Sequence, residues 1–197
     1  MLRAPLKSGV TQLITPLARA MIRLGITANG ITIVGAIGSW IASFYFFTKG
    51  DFFIGTLVIA FFLLSDLFDG TIARLTDSSG TKFGALLDST LDRISDAIVI
   101  LALIIWAADY ENSWILPLGL SLILGYLISY IKARAESLGI RCEVGLAERS
   151  ERLIVLLTST GLFGLGIDSA MIVGLWLLVV VNSVTVLQRF IVVMREA

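Results

Sequence analysis

The sequence predicts an all-α integral membrane protein, with an N-terminal amphipathic juxtamembrane helix followed by six transmembrane helices. Three observations predict it. First, 57% of the 197 residues are hydrophobic, only 15% are charged, and mean hydropathy is +0.93. A soluble domain is about half apolar and about a quarter charged. Second, six apolar stretches lie at about 29–48, 52–75, 82–108, 114–132, 152–167 and 170–194. Each can cross roughly 30 Å of hydrocarbon if polar end residues are included or the bilayer thins locally. Third, six spans bring thirteen of the fifteen Lys and Arg to one face. Lys49 lies on the other face and Arg93 inside a span. The excess of Lys and Arg marks the cytoplasmic side, so both termini are expected there. Five or seven spans would scatter these charges.

In chain order, residues 4–25 come first. Val10, Leu13, Ile14, Leu17, Met21 and Leu24 share one helical stripe, while Lys7, Arg19 and Arg23 lie off it. That pattern suits a helix lying in the membrane interface, with Pro16 at a bend. The six spans follow, separated by the polar breaks 49–51, 76–81, 109–113, 134–151 and 166–169. The fifth span is the shortest. Small residues four apart, Gly35/Ser39/Ser43 and Gly125/Ser129, permit close helix approach. With no repeat, low-complexity tract or soluble domain, residues 1–197 read as one membrane domain, 1–25 interfacial and 26–197 the helical bundle.

The chain has no histidine and a single cysteine, Cys142. Histidine-based catalysis, histidine metal ligands and an intrachain disulfide are therefore excluded. Oxygen ligands for hard cations remain.

Asp66, Asp69, Asp88 and Asp92 fall within 27 residues of this apolar sequence. Acidic groups at membrane depth are costly, and four together repel one another unless cations lie between them. Asp66 and Asp69 are three apart on the second span, and Asp88 and Asp92 four apart on the third. Each pair shares a helical face. Asp66 lies 14 residues after Phe52 and Asp92 lies 14 before Trp106, each about 21 Å of helix. On antiparallel neighbours the pairs meet at one level, in the cytoplasmic part of the membrane. Such a donor set suits Mg²⁺, Mn²⁺ or Ca²⁺, and two ions can clamp a phosphoryl or pyrophosphoryl group. Gly70, Ala73 and Gly84 leave room for a ligand beside the backbone. Arg74 offers a planar donor fork, and Thr81 sits where the third span begins. Carboxylates paired with Arg74 and Arg93, or an ion pathway in a cation transporter, are the competing readings. Two arginines cannot balance the acids, and a transport path does not explain the Gly/Ala/Arg spacing.

The pattern Asp66-x2-Asp69-Gly70-x2-Ala73-Arg74-x9-Gly84-x3-Asp88-x3-Asp92 resembles the signature of the CDP-alcohol phosphotransferase family. The resemblance covers the whole chain. It implies a homodimer in which an acceptor hydroxyl attacks the β-phosphate of a CDP-linked lipid and releases CMP. It further implies that Asp66, Asp69 and Asp88 hold two ions. Asp92 would be the general base and can also touch one of them. Gly70, Ala73, Arg74, Thr81 and Gly84 would hold the CDP part. The segment Thr27-Ala28-Asn29-Gly30-Ile31-Thr32 resembles the family's first-span entry, which adds Asn29 and Thr32 to the nucleotide site.

Lys132, Arg152 and Arg189 lie at the cytoplasmic ends of the fourth, fifth and sixth spans. Three cations around one pocket suit a phosphorylated alcohol; ordinary positive-inside charge is the plainer reading. The segments 129–136 and 148–153 with Gln188-Arg189 resemble the phosphatidylinositol-phosphate synthases of actinobacteria, a branch of that family. This implies CDP-diacylglycerol and inositol 1-phosphate as substrates, with Lys132, Arg152 and Arg189 on the acceptor phosphate. Glycerol 3-phosphate, the acceptor of phosphatidylglycerol-phosphate synthases, is the alternative, and spacing alone does not separate the two. The expected location is the plasma membrane, with the active site cytoplasmic.

Overall fold

The structure, a computed structural model, describes residues 15–63, 68, 71–72, 75 and 81–196. Asp66, Asp69, Gly70, Ala73 and Arg74, and the predicted amphipathic residues before 15, lie outside them. Among the described residues there is helix and no strand. The helices whose bounds the described residues define are α1 (residues 15–23), α2 (Ala28–Phe46), α3 (Phe52–Leu63), α4 (Lys82–Tyr110), α5 (Ile115–Ser137), α6 (Arg149–Gly164) and α7 (Asp168–Glu196). Single 3-10 turns, Phe47–Lys49 and Asn112–Trp114, precede α3 and α5. Helices α2 and α4–α7 coincide with predicted stretches to within a few residues, while α3 covers residues 52–63 of the stretch predicted over 52–75, most of whose remainder lies outside the described residues. α5 runs five residues beyond its predicted end and α6 starts three residues earlier, so Arg152 belongs to the first turns of a helix.

Among the described residues, three stretches are long and apolar enough to cross a membrane: Ala28–Lys49, Asn112–Ser137 and Asp168–Glu196. α3 is apolar but 12 residues long, and α6 has 16. α4 has the length, 29 residues, but carries Asp88, Asp92, Arg93 and Asp96 along it. Large aliphatic side chains stand exposed in mid-helix, among them Val34, Ile41, Ile123, Val173 and Val180. Water would penalise such surface; lipid does not.

The chain forms two compact units, residues 1–42 with 58–95, and 43–57 with 96–197. In the first, α1 buries Ala18 against Ile31 and Ile72, with Met21, Ile22, Ala28 and Phe68 packed around them. Leu17 of α1 and Leu24, in the turn after it, remain exposed. Trp40 Nε1 donates to Ser95 Oγ at 2.9 Å, tying α2 to α4.

In the second unit, an aromatic cluster of Phe52, Trp106, Trp114 and Phe163 has ring centroids 4.7–6.1 Å apart. Below it α6 and α7 touch closely. A β-carbon on Gly174 would stand 1.8 Å from Ser159 Oγ, so no larger residue fits. α5 closes with Gly139 at φ 79° and Ile140 N–H donating to the Ala135 carbonyl at 3.0 Å. The segment that follows crosses to α7. There Ala147 N–H donates to Thr185 Oγ1 at 3.3 Å. Gly145 adopts φ 143°, and a β-carbon there would meet Thr185 Cγ2 at 2.7 Å. Backbone conformation and space both require glycine.

Candidate active site

The predicted site residues that the structure describes fall into two groups, each within one unit. The first lies at the start of α2 and α4. Thr27 Oγ1 accepts the Gly30 N–H at 3.1 Å, and Thr81 Oγ1 accepts the Gly84 N–H at 3.0 Å. Each threonine thereby caps its helix. A β-carbon on Gly84 would lie 3.0 Å from Thr81 Oγ1 and 3.2 Å from Asn29 Oδ1. Asn29, Thr81 and Gly84, predicted from distant parts of the sequence, are thus neighbours. Their proximity brings two helix N-termini together, and such ends attract anions. Thr32 is buried, and its hydroxyl donates to the Ala28 carbonyl at 3.0 Å.

One turn beyond Gly84, α4 presents Asp88 and then Asp92, about 6 Å further along the axis. Asp88 is exposed and Asp92 half-buried. Arg93 Nη2 is 3.8 Å from Asp92 Oδ2. Among the described residues no three acidic, histidine or cysteine side chains gather as a metal site; Asp88 and Asp92 are the described half of the predicted set. Carboxylate oxygens on one helical face suit hard divalent cations.

The second group gathers on α5. Arg152, 9% exposed, lies beside Gly125; a β-carbon there would be 3.8 Å from Arg152 Nε. Arg189, also buried, donates through Nη1 to the Ile128 carbonyl at 2.6 Å and through Nε to the Val144 carbonyl at 2.9 Å. Lys132 stands on α5 itself, 4.0 Å from Glu136. Residues 125, 128 and 132 span about 10 Å of helix, so the three predicted cations are placed along the same stretch of α5. Gly125, expected to serve helix packing, lies against a guanidinium group.

Two features escaped the sequence reading. Arg189 is a strut as well as a cation, because it joins α7 to α5 and to the 140–148 segment. Arg149 and Arg152 both reach Asp96 on α4: Arg149 Nε donates to Oδ1 at 3.1 Å, and Arg152 Nη2 is 3.7 Å from Oδ2. Glu151 Oε2 accepts the Glu148 N–H at 2.9 Å and fixes the start of α6. The Glu-x-x-Glu spacing of 148–151 was the available signal. Nothing in the sequence pointed to the carbonyl partners of Arg189.

The strut has a measurable consequence. Each bond from a charged donor is worth about 1.5–3 kcal/mol, whereas an exposed i,i+4 pair gives about 0.3–0.5 kcal/mol. Arg189→Ala should lower the thermal midpoint in detergent by several degrees, and Lys132→Ala should leave it almost unchanged. Equal losses in the two variants would show that the carbonyl bonds carry no weight.

The sequence model of the CDP-alcohol phosphatidyltransferase family matches residues 25–187. The phosphatidylinositol phosphate synthase of Mycobacterium tuberculosis (strain ATCC 25618 / H37Rv) is 39% identical over 188 residues, covering 93% of this chain and 86% of that protein. The synthase of the same description from Streptomyces avermitilis is 37% identical over 196 residues, covering 95% and 80%. Among solved structures, the Mycobacterium tuberculosis synthase with CDP-DAG bound has a TM-score of 0.86 and 40% identity, covering 92% of this chain and 94% of that one. The same enzyme in complex with manganese and citrate also gives 0.86, at 40% identity, with 91% and 88% covered.

Proposed function

Because the chain belongs to the CDP-alcohol phosphatidyltransferase family, we propose that it transfers the phosphatidyl group of CDP-diacylglycerol to inositol 1-phosphate. The observation that carries the choice of acceptor is the placing of Arg152, Arg189 and Lys132 along the same stretch of α5. Two of these cations are buried in an apolar protein, where a phosphate is a fitting counter-charge. The relatives named above as phosphatidylinositol phosphate synthases support the same acceptor.

The chain's own groups divide the work. The capped starts of α2 and α4, with Asn29, Thr32 and Gly84, hold the CDP part together with Gly70, Ala73 and Arg74. Asp66, Asp69, Asp88 and Asp92 would hold two divalent ions, Mg²⁺ or Mn²⁺, whose charge neutralises the pyrophosphate. Asp92 accepts the proton of the acceptor hydroxyl. That oxygen forms a bond to the β-phosphorus as the bond from β-phosphorus to the bridging oxygen breaks, and CMP leaves with the electron pair. With no histidine in the chain, a carboxylate is the suitable base. The enzyme is a homodimer in the plasma membrane, one domain with six spans, α1 at the interface, and its termini and active site cytoplasmic.

Release of CMP from CDP-diacylglycerol by purified protein tests this. CMP should appear with inositol 1-phosphate and a divalent ion, stop with chelator, and be much slower with free inositol, which brings no phosphate to the cations. No CMP with any phosphorylated alcohol would favour the cation transporter. Equal rates with free inositol would remove the role given to Arg152, Arg189 and Lys132.

A further inference from the structure

Asp96 has no part in the transfer as described, yet it is the point at which two arginines meet. We propose that Asp96 is a positioning residue for the acceptor, fixing the Arg152 guanidinium in the orientation that receives the phosphate. The inference rests on the acceptor reading above.

Three observations carry it. Asp96 presents one carboxylate oxygen to each arginine, Oδ1 to Arg149 Nε at 3.1 Å and Oδ2 to Arg152 Nη2 at 3.7 Å. The side chains are 17%, 15% and 10% exposed for Asp96, Arg149 and Arg152, so solvent screens these contacts little. Finally, Arg149 and Arg152 occupy the first turns of α6. The positive end of the helix dipole disfavours cations there, and an anion in place offsets it. Arg152 thus has Nη2 towards Asp96 of α4, while its Nε lies in the space that the missing side chain of Gly125 leaves on α5. Arginine has a long, rotamer-rich side chain, and binding is tighter when its planar fork is aimed beforehand. The contact at 3.7 Å is an ion pair rather than a short hydrogen bond. It orients Arg152 while leaving its donors able to turn to a phosphate.

The experiment is a double-mutant cycle on Asp96 and Arg152, using the full chain in detergent. Asp96→Asn should raise the KM for inositol 1-phosphate about tenfold and leave the KM for CDP-diacylglycerol within about twofold. Asp96→Glu should recover part of the loss. In an Arg152→Ala background, Asp96→Asn should add almost nothing, because Asp96 acts through Arg152. A general loss of packing would instead multiply the two effects and lower kcat for both substrates.

Protection by inorganic phosphate against thermal unfolding, without metal, gives a readout independent of turnover. It should be present in wild type and weakened to a similar extent by Asp96→Asn and by Arg152→Ala. Wild-type phosphate protection that depends on Arg152, without use of inositol 1-phosphate, would sink the acceptor reading alone. Unchanged acceptor KM and phosphate protection in Asp96→Asn would overturn the role of Asp96. So would a lower acceptor KM, which would make Asp96 a competitor of the phosphate, or full multiplicative effects in the cycle.

Discussion

Asp88→Asn should abolish divalent-dependent CMP release while leaving the protein folded, and Asp66→Asn and Asp69→Asn should do the same. The amide keeps the shape and removes the negative charge. Hard cations bind amide oxygens far less well than carboxylates when the site must also hold two ions against each other. Mutation of groups that merely support metal ligands costs about 10- to 100-fold, so loss of a ligand should exceed about a hundredfold. The fold should survive, because Asp88 stands exposed on α4 rather than in the buried packing of either unit. The measurement is turnover at saturating Mg²⁺ and Mn²⁺, beside thermal unfolding of the same preparations. Near-normal turnover in any one variant would remove that residue from the metal set.

Asp92→Asn should behave differently in one respect. It should lose turnover by roughly 10²- to 10⁴-fold, the usual contribution of a positioned base, yet still bind CDP-diacylglycerol in the presence of metal. Asp92 lies one turn beyond Asp88, at the edge of the acidic stripe, where it can serve an incoming hydroxyl. Its carboxylate is also 3.8 Å from Arg93 Nη2. Binding is read by titration with CDP-diacylglycerol, and turnover by CMP release. If Asp92→Asn loses lipid-nucleotide binding as completely as Asp66→Asn, Asp92 is mainly a metal ligand, and the proton has another acceptor.

The helices were legible because apolar runs bounded by Lys49-Gly50-Asp51 or Gly166 to Ser169 announce themselves locally. α4 was legible for a different reason. Its charges at 88, 92 and 96 recur every four residues, a helical period, although they remove it from the helices that hydropathy alone assigns to the membrane. The capping threonines could be read as helix starts, but the meeting of Gly84 with Asn29 spans 55 positions and appears only in the folded chain. Arg189 shows the same limit. Its carbonyl partners lie 45 and 61 residues away, and backbone acceptors leave no signature in a sequence. Asp96 was visible as the continuation of a stripe. Its partners were not, because Arg149 and Arg152 look like ordinary cytoplasmic charge until α6 is placed. The sequence alone carried Asp66, Asp69, Gly70, Ala73 and Arg74, through their spacing.

Transfer of a phosphatidyl group to a phosphorylated inositol can be tested in a single competition. The most direct measurement offers purified protein CDP-diacylglycerol with equimolar inositol 1-phosphate and glycerol 3-phosphate, and identifies the lipid product by mass. Phosphatidylinositol phosphate should be in large excess, formed in step with CMP and only with divalent metal. Phosphatidylglycerol phosphate as the main product would contradict it.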